Sequence, residues 1–187
     1  MRKTSNSAKT RKIGLEQDAD AQRQANGRSG EDLTRGLLGP TFVVSSVNID
    51  KDGADLWISE FDKDKIFSEE RLRIQAKFAK RGNQARFRLE HAMTADGKPR
   101  PDYFAFVHTL SAGELVHYFF DSAEILKLPR TTKGQPFFTP GAKSTRKPLT
   151  RSNVVSRLRK ALQAQKGGTS TSVNEMLLSY QMRSAVG

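Results

Sequence analysis

Asp55, Gln75 and Lys77 are the residues of this 187-residue chain whose types and spacing best suit chemistry. A carboxylate and an amide oxygen are hard ligands of the kind a small divalent cation takes, and a lysine beside them adds a compact positive charge. Gln75 and Lys77 fall in Arg71-Leu-Arg-Ile-Gln-Ala-Lys-Phe78, where Leu72, Ile74, Ala76 and Phe78 alternate with Arg71, Arg73, Gln75 and Lys77. That period predicts a strand turning Gln75 and Lys77 to one face and its apolar set to the other. Asp55 stands at the mouth of an earlier apolar strand, Gly53 to Ser59, in which Leu56 and Ile58 point one way and Asp55 and Trp57 the other. If the two strands pair, the three side chains meet. The alternation by itself is also what a half-buried strand with one wet face requires.

The order of these residues resembles the PD-(D/E)xK nuclease superfamily: an Asp at one strand start, then an acidic or amide residue, a spacer and a Lys on the next strand. Gln75 stands where that pattern has its second carboxylate, and Ala54 where it has Pro. Upstream, Gly27 to Leu38 resembles the family's first helix, whose early Glu, here Glu31, faces the metal. Downstream, Pro101–Val107, Val116–Asp121 and Ser122–Ile125 resemble the closing strands of resolvase-like and restriction-like members. The resemblance spans residues 27–126. It implies a magnesium or manganese ion held by Asp55, Glu31, the side-chain oxygen of Gln75 and the Ala76 carbonyl. Lys77 would position the attacking water and stabilise the charge that builds in the transition state, so the implied catalytic set is Asp55, Gln75, Lys77 and Glu31. The activity expected is metal-dependent hydrolysis of phosphodiester bonds in DNA by a cytoplasmic endonuclease. Gln75 brings an oxygen but no charge, which weakens metal binding unless Glu31 compensates. The alternative is a nucleic-acid-binding protein that keeps the fold and has lost turnover. A further alternative is a structural protein whose basic flanks bind RNA or a protein partner.

The elements that must position these residues follow from periodicity and capping. Ser29 is expected to cap a helix over residues 30–38, burying Leu33, Leu37 and Leu38 and stopped by Gly39-Pro40. Glu31 then sits in its first turn, where it also suits the helix dipole and a pair with Arg35. Thr41 to Ile49 is β-branched and predicts the first core strand. Asn48, Asp50, Asp52 and Gly53 fit the opening positions of a calcium loop, but Asp55 and Ser59 fall where an apolar residue and a bidentate Glu are needed, so this is hairpin chemistry. Arg86 to Glu90 alternates and suggests a further strand. Tyr103–Leu110 and Leu115–Phe120 are aromatic-rich strands joined by a turn at Ser111–Glu114. His108 and His117 lie in them without ligand spacing and read as ordinary strand residues. Leu128 to Thr150 is a basic loop, Ser152 is expected to cap a helix to Gln165, and Val173–Ser184 suggests a short packed or partner-binding helix. The fold class expected is α/β: a restriction-endonuclease-like core over residues 27–128 with a central mixed sheet flanked by helices. A basic arm, 1–26, precedes it, and a basic loop with C-terminal helices, 129–187, follows.

Charge is placed unevenly. The formal net charge is +12, yet residues 31–126 hold thirteen Lys and Arg against sixteen acids, while residues 127–166 hold eleven against none. Clustered basic residues gain affinity for a phosphate backbone by releasing counterions, so the partner expected is DNA, or RNA by the same chemistry. Lys143, Arg146, Lys147, Arg151 and Arg157 are the candidate contacts. A homodimer is compatible with the resemblance. With no cysteine, disulfides and thiolate metal sites are excluded. No apolar run approaches the length a membrane-spanning helix needs.

Overall fold

The computed structural model describes residues 28–47, 53–61, 70–141, 144 and 146–166. In chain order the elements are α1 (residues 28–38), β1 (Val43–Ser46), β2 (Leu56–Ser59), β3 (Leu72–Phe78), β4 (Ala85–Arg86), α2 (Leu89–Ala92), β5 (Tyr103–Ser111), β6 (Glu114–Asp121), α3 (Ser122–Leu126), β7 (Phe137–Phe138) and α4 (residues 151–166). The chain is α/β, with a central five-stranded mixed sheet of order β1-β2-β3-β5-β6. β1, β2 and β3 form an antiparallel meander, β3 pairs in parallel with β5, and β5 and β6 form an antiparallel hairpin. The short strands β4 and β7 make a separate antiparallel ribbon.

Both faces of the sheet are covered, and the side-chain period of two decides which residues go where. Phe104 and Phe106 of β5 join Leu56, Ile58, Leu72 and Ile74 on the face that receives Leu38 of α1 and Val154, Leu158 and Leu162 of α4. Tyr103, Ala105 and Val107 face the other way, against Ala92 of α2, Ile125 of α3 and Phe87 and Phe138 at the ribbon. Each large apolar side chain so buried contributes on the order of 1.5–3 kcal/mol. The helix α4, expected as an extension, thus supplies part of the same core. The outer edge of β6 is also closed, because the Leu149 N–H donates to the His117 carbonyl at 3.1 Å and the Arg146 Nη2 to the Phe119 carbonyl at 2.5 Å.

The strand β3 forms where its alternation predicts, β5 and β6 form over the aromatic-rich segments expected to be strands, and the turn between them falls on Ala112 and Gly113, both at positive φ. Other elements differ from the sequence reading. Arg28 is already helical, so Ser29 lies inside α1 rather than capping it. β1 covers only Val43–Ser46. Of the strand expected over Arg86–Glu90 only Arg86 is in one, paired in β4 with Ala85; the chain turns into α2 at Leu89, which buries His91 and Ala92. Ser122–Leu126 is a helix, not a closing strand, because Asp121 and Glu124 form a reciprocal capping box at its start. Thr150, not Ser152, caps α4: its Oγ1 accepts from the Asn153 N–H at 3.4 Å and its carbonyl from the Val154 N–H at 3.1 Å. The expected arm, most of the Asp-rich turn and the Val173–Ser184 helix lie outside the described residues. Among the described residues no helix is long and apolar enough to cross a membrane.

Candidate active site

The backbone before β2 is set by Gly53, which is buried at φ +67 and would place a Cβ 1.6 Å from Nδ1 of His91. Only glycine meets both demands. The chain then enters the sheet at Asp55, whose N–H donates to the Ile74 carbonyl at 2.9 Å and whose Oδ2 accepts from the Ala76 N–H at 2.6 Å. A charge-assisted bond of that length fixes the carboxylate against β3. Pairing with β5 holds Gln75 and Lys77 in turn, in register with Ala105 and Val107.

Glu31 reaches the same place from α1. Gly30 presses against β3 so closely that a Cβ there would lie 3.0 Å from the Lys77 carbonyl carbon and the Phe78 nitrogen. The next residue is therefore delivered to the strand's end. Glu31, Asp55, Ala76 and Lys77 line one cleft of about 500 Å³. Asp55, Gln75 and Lys77 also border an adjoining cleft of about 290 Å³ with Arg86, Arg88 and His91.

Gln75 is buried, and its Oε1 accepts from the Tyr103 hydroxyl at 3.0 Å. The same hydroxyl lies 3.5 Å from the Gly53 carbonyl, so Gln75 ties β3 to β5 and to the turn before Asp55. A neutral amide suits this setting, since a carboxylate would be costly to bury there without a cation beside it. Among the described residues no group of three or more His, Cys, Asp or Glu side chains could hold a metal ion. The side chains that Asp55 and Glu31 bring to the larger cleft are carboxylates, donors of the type magnesium takes, commonly one or two at a site with several waters kept.

The basic residues divide in a way that charge counting does not show. Arg146 pairs with Glu124 at 2.8 Å and lies 4.2 Å from the Phe120 ring centroid. Arg157 pairs with Asp121 at 2.6 Å and Glu124 at 2.8 Å, and lies 5.0 Å from the Phe119 ring centroid. Burial disfavours the Arg157 charge, but Glu124 and Asp121 outweigh it and raise its pKa. Burial likewise disfavours the Glu124 carboxylate, and Arg157, the Asp121 N–H and Arg146 outweigh it to lower that pKa. Arg151 donates to the Leu37 carbonyl at 2.9 Å and to Thr41 Oγ1 at 3.0 Å. These three arginines brace α4 and its preceding segment against the sheet and α1. Lys147 is exposed, and Lys143 lies outside the described residues.

A second set of basic residues stands at the cleft itself, away from the basic flanks that charge counting picks out. Lys80 and Arg86 line the larger cleft, and Arg86 and Arg88 the smaller. Their signal in the sequence is a Lys-Arg-Gly-Asn-Gln turn, residues 80–84, three positions after Lys77.

His108 and His117 are joined to the opposite face. Thr34 Oγ1 donates to the Gly30 carbonyl at 2.9 Å, so it accepts from His108 Nε2 at 2.7 Å. His108 Nδ1 is then an acceptor, and the 2.7 Å contact with His117 Nδ1 makes that atom the donor. A proton on His108 Nδ1 would meet the His117 N–H head on. Burial, followed by the charge of His117, pushes the His108 pKa down to about 3.

No family model matches the chain, and no curated protein matches its sequence.

Proposed function

We propose that this chain is a magnesium-dependent endonuclease that hydrolyses phosphodiester bonds in DNA on a restriction-endonuclease-like core. The observation that carries the reading is the convergence of Glu31, Asp55, the Ala76 backbone and Lys77 on one cleft, from α1, the start of β2 and the end of β3. The coarse architecture is compatible with it: a central mixed five-stranded sheet flanked by helices.

A bound magnesium ion would neutralise charge on the phosphate and lower the pKa of a coordinated water. Asp55 and Glu31 would supply the charged ligands, with Gln75 Oε1 and the Ala76 carbonyl as neutral ones. The Ala76 N–H holds Asp55 Oδ2 in place before substrate arrives, so no reorganisation is needed at that carboxylate. Lys77 projects into the same cleft, where its ammonium orients the attacking water and offsets charge developing on the phosphoryl oxygens. The net charge of +12 favours a polyanionic phosphate backbone as substrate, and DNA is the class that the resemblance implies.

One observation favours the alternative of a binding protein without turnover. Gln75 replaces a charged ligand and already accepts the Tyr103 hydroxyl, which leaves Glu31 and Asp55 as the carboxylates at the cleft. The experiment is nicking of supercoiled plasmid with magnesium and with EDTA. Asp55→Ala and Lys77→Ala should each lower the magnesium-dependent rate by roughly 10²- to 10³-fold, with circular dichroism unchanged. A wild-type rate in either variant overturns the site. DNA binding with no nicking in magnesium or manganese establishes the alternative.

A further inference from the structure

We propose that Lys80, Arg86 and Arg88, on the turn after β3, on β4 and at the start of α2, form the rim that seats a DNA backbone across the cleft. The proposal rests on the nuclease reading of the adjoining site. Residues 79–89 hold four basic side chains and no acidic one. Lys80 and Arg86 border the cleft that contains Glu31 and Asp55, and Arg86 and Arg88 border the one that contains Gln75 and Lys77. All three are exposed.

These residues differ from the basic residues of the C-terminal half in what they touch. Among the described residues neither Lys80 nor Arg88 has an ion-pair partner, and Arg86 donates only to the neutral Gln84 Oε1, at 3.2 Å. Arg146, Arg151 and Arg157 would have to abandon internal partners to reach a phosphate; the rim would give up at most the bond from Arg86 to the neutral Gln84.

The rim is also held in shape. The Gly82 N–H donates to the Pro140 carbonyl at 3.0 Å, Ala85 and Arg86 pair with Phe138 and Phe137, and the Phe87 N–H donates to the Pro136 carbonyl at 2.8 Å. Ala85 and Phe87 are buried, so the extended backbone must turn Arg86 and Arg88 outward together. Two residues along extended chain span about 6.6 Å, comparable to the separation of neighbouring phosphates on one nucleic-acid strand. A side chain on anchored backbone loses less freedom when it binds than one on a loose tail.

The test measures binding of a fluorescently labelled DNA duplex by anisotropy, in EDTA, over a range of salt. Lys80→Ala, Arg86→Ala and Arg88→Ala combined should flatten the slope of log K against log salt by about 0.9 for each phosphate the protein no longer neutralises. At 0.1 M salt that is about eightfold in affinity per phosphate. A charge-matched control, Lys127→Ala, Arg159→Ala and Lys160→Ala combined, should keep the wild-type slope. Thermal melts verify that both remain folded. The proposal is overturned if the rim variant keeps the wild-type slope, if both variants flatten it equally, or if the rim variant weakens only binding of an RNA of the same sequence. Because no metal is present, a protein that binds through the rim and never cleaves loses the nuclease reading alone. One that cleaves with an unchanged slope loses the rim alone.

Discussion

Gln75 is the residue at which the site and the protein's stability make opposite demands. Its buried amide satisfies the Tyr103 hydroxyl, whereas a carboxylate there would carry a desolvation cost until a cation neutralised it. Gln75→Glu should therefore melt below the wild type in EDTA and gain more from magnesium than the wild type does, since a ligand that binds only the folded state stabilises it by mass action. Thermal melts with and without the metal measure both, and an equal magnesium gain in the two proteins would mean that residue 75 does not touch the ion. The alternation from Arg71 to Phe78 makes the shared face of Gln75 and Lys77 legible in sequence. Its partner is not legible, because Tyr103 reaches Gln75 only through the parallel pairing of β3 with β5.

At the scale of elements, α1 carries two glycines with contrary roles. Gly36 is exposed, and a Cβ there meets nothing within 4 Å, whereas a Cβ on Gly30 would press on the backbone at Lys77 and Phe78. Gly36→Ala should stabilise the protein by about 0.5–1 kcal/mol, the usual helical difference between the two residues. Gly30→Ala should cost about 1–3 kcal/mol through overpacking, and should slow cleavage because Glu31 moves with the helix. Urea unfolding and the plasmid assay check the pair; equal stability effects would show that α1 does not lie so close to β3. A long central strand such as β5 is readable because nearly every residue of it is apolar or aromatic and buried, on one face of the sheet or the other. Caps are not: Thr150 and Ser152 carry the same hydroxyl chemistry, and only the backbone path decides at which of them the helix starts and so that Thr150 meets the Asn153 N–H. The β4–β7 ribbon is equally hidden, since Ala85–Arg86 and Phe137–Phe138 are each too short to show a period.

For the molecule as a whole, the His117–His108–Thr34 chain links β6, β5 and α1, so its protonation bears on global stability. The His108 pKa is pushed from 6.5 to about 3, and burial lowers that of His117 as well. Between those limits the unfolded chain binds a proton that folded His108 refuses. The contribution is complete above the ordinary histidine pKa and is lost as pH falls, by at most about 1.4 kcal/mol per unit for one such group. Urea unfolding at pH 7 and pH 5 should show the drop, and His108→Gln should shrink the difference between the two; an undiminished difference would assign the acid sensitivity elsewhere. The overall charge asymmetry is visible in the composition, but its division into bracing arginines and a cleft-side rim depends on the packing of α4. The cover on β6 has a last consequence. Exposed strand edges invite another chain to extend the sheet, the first step toward fibril growth. With the His117 and Phe119 carbonyls taken by Leu149 and Arg146, a second copy could add there only by first peeling that segment away.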